Sequence, residues 1–147
     1  MYKRSEVAEG DIVMAIRASV GKVLPVPPEL SGANLTQGTA KIAPHDSVDG
    51  SFLLWALRDL RFQSRVLYAI KGTTFAEITL ADLRQLQIGV PVSLSEQREI
   101  AARLNAFQAV LDAESRQLEK LRMQKQGLMQ DLLTGKVRVP VPADGSA

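Results

Sequence analysis

The chain offers little of the chemistry that most enzymes use. There is one histidine, His45, and no cysteine. That excludes thiol catalysis, cysteine-based zinc sites and a disulfide framework, and a lone imidazole is too little for a histidine-rich metal centre or a Ser-His-Asp triad. Neither a Gly-x-Gly cofactor loop nor a Gly-x-x-x-x-Gly-Lys-Ser/Thr phosphate loop is present, and no acid pair suited to carboxylate catalysis stands out. What remains are binding groups. Asn34, Thr36 and Gln37 concentrate amides and a hydroxyl, and Lys71-Gly72-Thr73-Thr74 combines a cation, a flexible backbone and two hydroxyls. Arg17, Lys22 and Lys41 lie around expected strand turns, and Arg58, Arg61 and Arg65 recur at helical spacing. Amides and hydroxyls at such places either meet a ligand or close loop backbone hydrogen bonds, and the cations either hold phosphates or are solvated. The net charge is only +2, from 18 basic and 16 acidic side chains, so binding to a polyanion would have to come from local clustering.

These groups need elements to position them. Asp11–Ile16 and Lys22–Val26 flank a turn at Ser19–Gly21 and predict adjacent strands, and a third strand is expected over Thr39–Ala43. Between Val48 and Ile70 the residues Phe52, Leu53, Trp55, Leu57, Leu60, Val66, Leu67 and Ile70 recur at mostly helical spacing, which predicts one helix buried on one face with Trp55 in the core. Thr79 is placed to cap a short helix through Leu86, and a strand is expected over Gln87–Val92. The longest fully apolar run, Phe52–Leu57, is far short of the roughly 18 residues of a membrane span, and the first residues lack an apolar signal segment, so a soluble, cytoplasmic protein is expected.

After Pro91 the composition changes, with neither Gly nor Pro until Gly127. Ser93 can cap a helix there and Glu96 can return a hydrogen bond to the cap. Ile100, Leu104, Phe107, Leu111, Leu118, Leu121, Leu128 and Leu132 follow one alternating three-and-four spacing, a heptad seam ended by Gly135. A helix of about 40 residues would extend roughly 60 Å, too long to pack along its whole length against a small core. The reading is an α+β chain: a small globular domain of mixed strands and helices over 1–92, one long coiled-coil helix over 93–135, and a disordered tail over 136–147.

Two seam positions are polar, Glu114 and Lys125. If an identical helix runs antiparallel, one register places Leu118 against Leu121, Leu111 against Leu128 and Phe107 against Leu132, and the same register places Glu114 against Lys125. A shift of one heptad leaves each charge facing an apolar side chain, so the ion pair can select the register even where it adds little stability. Alternatively, both long side chains bend out to water.

The chain resembles the C-terminal half of a specificity subunit of type I restriction-modification systems. The matching elements, in order, are Gly10-Asp11-Ile12-Val13 with Gly21-Lys22-Val23, Asn34-Leu35-Thr36-Gln37, Lys71-Gly72-Thr73-Thr74 leading to Ile88-Gly89-Val90-Pro91, Glu96-Gln97-Arg98-Glu99-Ile100, and Lys125-Gln126-Gly127-Leu128 through Leu132-Leu133-Thr134-Gly135-Lys136. The resemblance implies a target recognition domain, expected to be partial because its Gly-Asp-Ile element lies so near the start, followed by a helix that pairs antiparallel as a spacer. It implies a non-catalytic subunit that reads part of a split site on double-stranded DNA. Its expected partners are modification (methyltransferase) subunits, the restriction subunit, and itself or another specificity subunit. S-adenosylmethionine, ATP and Mg would belong to partner subunits, with no cofactor in this chain. Arg17, Lys22, Asn34, Thr36, Gln37, Lys41, Lys71, Thr73 and Thr74 become candidate DNA contacts, in which amides can meet adenine edges and cations can meet phosphates. The alternative is an interaction module that pairs through its helix with a full-length specificity subunit and does not itself read DNA.

Overall fold

The computed structural model describes residues 5–71 and 76–140. Three short strands, β1 (Ile12–Ala15), β2 (Val23–Pro25) and β3 (Thr39–Ile42), form an antiparallel sheet in the order β2-β1-β3. The registers pair Val13 with Leu24 on one side and with Lys41 on the other. Alternation along β1 sends Ile12 and Met14 into the core, where they are almost fully buried. Four helices follow: α1 (Gly50–Arg58), α2 (Leu60–Ala69), α3 (Leu80–Gln85) and α4 (Leu94–Leu133). Leu53 and Leu57 from α1, Phe62 and Val66 from α2, and Ile78 close the core over the sheet.

The turn from β1 to β2 depends on Gly21, which has a φ of +91°. A Cβ built there would lie 2.5 Å from Gln63 Oε1. Gln63 has little freedom to move aside, because its Nε2 donates to Gly21 O at 2.9 Å and to Leu57 O at 2.6 Å. One side chain of α2 therefore ties down both the hairpin turn and a carbonyl near the end of α1.

The single helix expected over Val48–Ile70 is two helices. Asp59 is extended (φ −59°, ψ 139°), ending α1, and its carboxylate accepts from Arg61 N at 2.9 Å to start α2. An aspartate side chain that competes for backbone N–H groups favours such a break over helix continuation. The break changes which side chains reach the core. Phe62 enters it, whereas Leu60 and Leu67 are 81% and 63% exposed. Trp55 is not a core residue either; it is half-buried, with the Arg58 guanidinium 5.6 Å from its ring centroid. The expected strand over Gln87–Val92 is absent, and the segment is irregular. Pro91 has no N–H to give a ladder, and its carbonyl accepts instead from Gln97. The cap at Thr79 is as expected, with Thr79 Oγ1 accepting from Asp82 N at 3.1 Å.

The start of α4 is fixed by one buried amide. Gln97 is fully buried. Its Oε1 accepts from Asp49 N at 2.7 Å, and its Nε2 donates to Ser47 O at 3.1 Å and Pro91 O at 2.7 Å. Asp49 also caps α1 by accepting from Phe52 N, and its carboxylate lies 3.7 Å from Arg98 Nε. The chain divides into two compact units, Met1–Leu104 and Asn105–Ala147. The boundary falls inside α4 because its first turns, with Gln97 and Ala101 buried, belong to the globular unit. In the second unit, α4 ends before Gly135 (φ +72°), and Lys136 and Val137 fold back on Asp131 through a 3.3 Å ion pair and a 3.0 Å backbone hydrogen bond. Of the tail expected to be disordered, residues 141–147 lie outside the described residues.

Replacing Gln97 with Leu keeps similar bulk but strands one N–H and two carbonyls in the interior. We expect a loss of about 3 kcal/mol, measured as a lowered urea midpoint at unchanged slope; a change below about 0.5 kcal/mol would show that water satisfies these groups.

Candidate nucleic-acid interface

β1 ends, β2 begins and β3 begins at the same end of the sheet, and this end collects several of the candidate residues. Arg17 follows β1 and Lys22 precedes β2, both exposed. Thr36 and Gln37, also exposed, lead into β3. Gly38 lies against Arg17, its O accepting from Ile16 N at 2.9 Å. Glu77 joins the cluster from across the fold, forming isolated backbone bridges with both Arg17 and Lys71. Arg17, Lys22, Thr36, Gln37 and Lys71 thus come from four separate stretches of sequence to one edge.

Two of the charges at this edge, Arg17 and Lys71, are already partnered. Arg17 Nη2 meets Glu77 Oε1 at 2.9 Å, and Lys71 Nζ meets Asp82 Oδ2 at 2.8 Å. Exposed pairs of this kind contribute little to stability, so a phosphate can displace the carboxylate at small cost. Glu77 is a neighbour of Arg17 that the sequence did not reveal, because nothing in local spacing links two residues sixty positions apart. Thr73 and Thr74 lie outside the described residues.

The remaining two candidates are directed elsewhere. Lys41 Nζ donates to Glu6 O at 2.8 Å and lies 3.9 Å from Asp11 Oδ2. Asn34 bridges Glu6 through its backbone, and its Oδ1 accepts from Ser5 Oγ at 2.9 Å. Both side chains brace the segment around Glu6, and Asn34 keeps its amide donors for other partners. The expected basic stripe Arg58, Arg61, Arg65 is split by the break at Asp59. Arg58 stacks on Trp55 and reaches Val23 O, and Arg65 Nε donates to Arg61 O at 3.3 Å. Among the described residues no group of three or more potential ligands is placed to hold a metal ion. His45 Nδ1 lies 3.0 Å from Ser47 Oγ. No helix among the described residues is long and apolar enough to cross a membrane.

The seam on α4 forms a second surface. Ile100 is half-buried and Leu104 is 38% exposed. Beyond them Phe107, Leu111, Leu118, Leu121, Leu128 and Leu132 are 70%, 60%, 49%, 51%, 60% and 40% exposed. Glu114 and Lys125 interrupt this stripe and are exposed too. Ion pairs between Glu99 and Arg103 and between Glu119 and Arg122 decorate the helix.

The Lys71 ammonium, and after it the Thr79 hydroxyl, hold the Asp82 carboxyl below the ordinary carboxylate range by hydrogen bonding. The pair's contribution to stability is therefore present above the ordinary carboxylate pKa and lost as pH falls through the lowered folded-state value. In carboxyl-carbon NMR titrations, Asp82 should titrate below an unfolded-chain aspartate, and Lys71→Met should move its midpoint upward; an unmoved midpoint would refute the assignment.

The family described as the type I restriction modification DNA specificity domain matches residues 2–123. A putative type I restriction enzyme MjaX specificity subunit from Methanocaldococcus jannaschii is 33% identical over 134 residues, covering 90% of this chain and 30% of that protein. The EcoBI specificity subunit from Escherichia coli is 26% identical over 147 residues, covering 99% and 31%. This chain thus spans about a third of the length of these relatives. In fold it is similar to the S subunit of a type I system from M. genitalium, with a TM-score of 0.67, 24% identity, and 86% of this chain and 33% of that one covered. The HsdS subunit from Thermoanaerobacter tengcongensis gives a TM-score of 0.66 at 22% identity, covering 94% and 38%. Over the parts covered, both share the fold described above. On the sequence match, the chain belongs to the type I restriction-modification DNA specificity family.

Proposed function

We propose that this chain is a non-catalytic specificity element that reads part of a split DNA site and mounts methyltransferase subunits through an antiparallel helix pair. The observation that carries this reading is the α4 seam. An apolar stripe from Phe107 to Leu132, half or more exposed at most positions, is stable in water only against a partner. The partner chemistry is that of a second such helix, because Glu114 and Lys125 oppose each other in the same antiparallel register that matches leucine to leucine. DNA would meet the sheet edge carrying Arg17, Lys22, Thr36, Gln37 and Lys71. There, cations supply salt-dependent affinity and the Gln37 amide supplies base-edge hydrogen bonds. The groups that transfer the methyl, and the S-adenosylmethionine, ATP and Mg they use, would reside in partner subunits.

A second reading has its own support. The engagement of Arg17 by Glu77 and of Lys71 by Asp82 leaves less net positive field at the edge than the sequence implied. This favours a chain that acts only by pairing its helix with a full-length specificity subunit.

DNA binding separates the two. In a salt titration with the methyltransferase subunit present, a bipartite preferred site should emerge. Arg17→Ala should then weaken binding to all sequences and reduce the slope of log K against log salt by about one; the absence of any sequence preference would favour the pairing module. Helix pairing is tested separately by sedimentation. Glu114→Lys should weaken self-association about tenfold and Lys125→Glu, added to it, should restore it, whereas failure of the double variant to recover would reject the register.

A further inference from the structure

The two acids at the sheet edge are held more firmly than the cations they meet. Glu77 is tied down through its backbone: its N–H donates to Lys71 O at 3.3 Å, its O accepts from Lys71 N at 2.9 Å, and the next N–H, that of Ile78, donates to Ile16 O at 3.1 Å. Ile78 itself is fully buried and anchors the segment. Asp82 lies in the first turn of α3, where Thr79 Oγ1 donates to its Oδ2 at 2.7 Å while accepting from its N–H at 3.1 Å. Arg17 and Lys71 are by contrast long side chains, 51% and 70% exposed.

Of the three cations at this edge, Arg17, Lys22 and Lys71, two are met by these anchored carboxylates. A phosphate that takes Arg17 or Lys71 must draw the cation off its acid. It must then face an anion that stays where it was, because the acid is anchored and the cation is not. Opening the pair and the repulsion that follows subtract from the gain of each phosphate contact. Contact with DNA of any sequence offers phosphates alone. A matching site adds base-edge hydrogen bonds, for which Thr36 and Gln37 lie beside Arg17 at the start of β3. Those extra bonds can offset the opening of the pairs.

We infer that Glu77 and Asp82 are specificity-determining residues, which keep Arg17 and Lys71 off the backbone of non-matching DNA and release them where Thr36 and Gln37 make base contacts. The inference rests on the DNA reading proposed above and adds to it a way of telling one sequence from another. It gives the acids a role at an edge where, under phosphate attraction alone, they would only weaken binding.

The test compares two DNA duplexes, one of random sequence and one carrying the site selected from a random library by the full chain with the methyltransferase subunit. Glu77→Gln and Asp82→Asn each remove a charge and retain side-chain bulk and the backbone contacts. On the random duplex each should tighten binding about tenfold and steepen the slope of log K against log salt by about one. On the selected site the gain should stay below about threefold, so the specificity ratio falls. Glu29→Gln is the control, the same loss of charge in the exposed turn Pro28–Leu30 beyond the far end of β2. Arg17→Ala added to Glu77→Gln, and Lys71→Met added to Asp82→Asn, should abolish the respective gains. Gains on the random duplex no larger than the control's, gains that persist without the paired cation, or equal gains on both duplexes overturn the inference and leave the DNA reading standing. Failure of the wild-type chain and the variants to bind DNA, or to select any preferred site, overturns both.

Discussion

The structure depends on how one side chain, Gln97, is satisfied. A buried amide must place all its polar atoms against partners, because an unmet donor or acceptor in the interior costs more than a met one contributes. Gln97 does so by holding the backbone of Ser47, Asp49 and Pro91 at once. The segment it holds is also the start of α1, capped by the Asp49 carboxylate. The beginning of the long helix and the beginning of the core helices are thereby built on the same three residues. Hydrophobic burial alone would leave this junction less defined, since apolar contacts are non-directional, whereas three hydrogen bonds of fixed geometry admit one arrangement.

The two surfaces offered to other molecules follow different physical rules. The sheet edge is assembled from separate stretches, and two of its cations, Arg17 and Lys71, rest in exposed pairs with Glu77 and Asp82. Such pairs keep the side chains ordered and are weak enough to give way to a stronger anion. The seam of α4 is assembled from one stretch and is apolar, so its demand for a partner is continuous and cannot be met by ions. Its two charges contribute specificity of alignment more than affinity.

The globular unit also carries a groove of about 400 Å³ beside Trp55. It exists because Asp59 breaks what the apolar spacing would make one helix, turning Phe62 into the core and leaving Trp55 and Arg58 at the surface. The short break gives the globular unit an aromatic recess next to the last seam residue it contains.

What the sequence determined by itself were the features that repeat or sit next to one another. The heptad spacing implied a helix close to Leu94–Leu133, the turn residues implied the β1–β2 hairpin and β3, and Thr79 marked the start of α3. Each arises from interactions among residues a few positions apart, so local pattern suffices to read it. The tertiary structure alone decided the rest. It placed Glu77 beside Arg17, turned Lys41 and Asn34 toward Glu6, buried Gln97, and broke the chain at Asp59. These outcomes depend on which distant groups compete for the same hydrogen bond or the same volume of core, and that competition is settled only when the chain is packed.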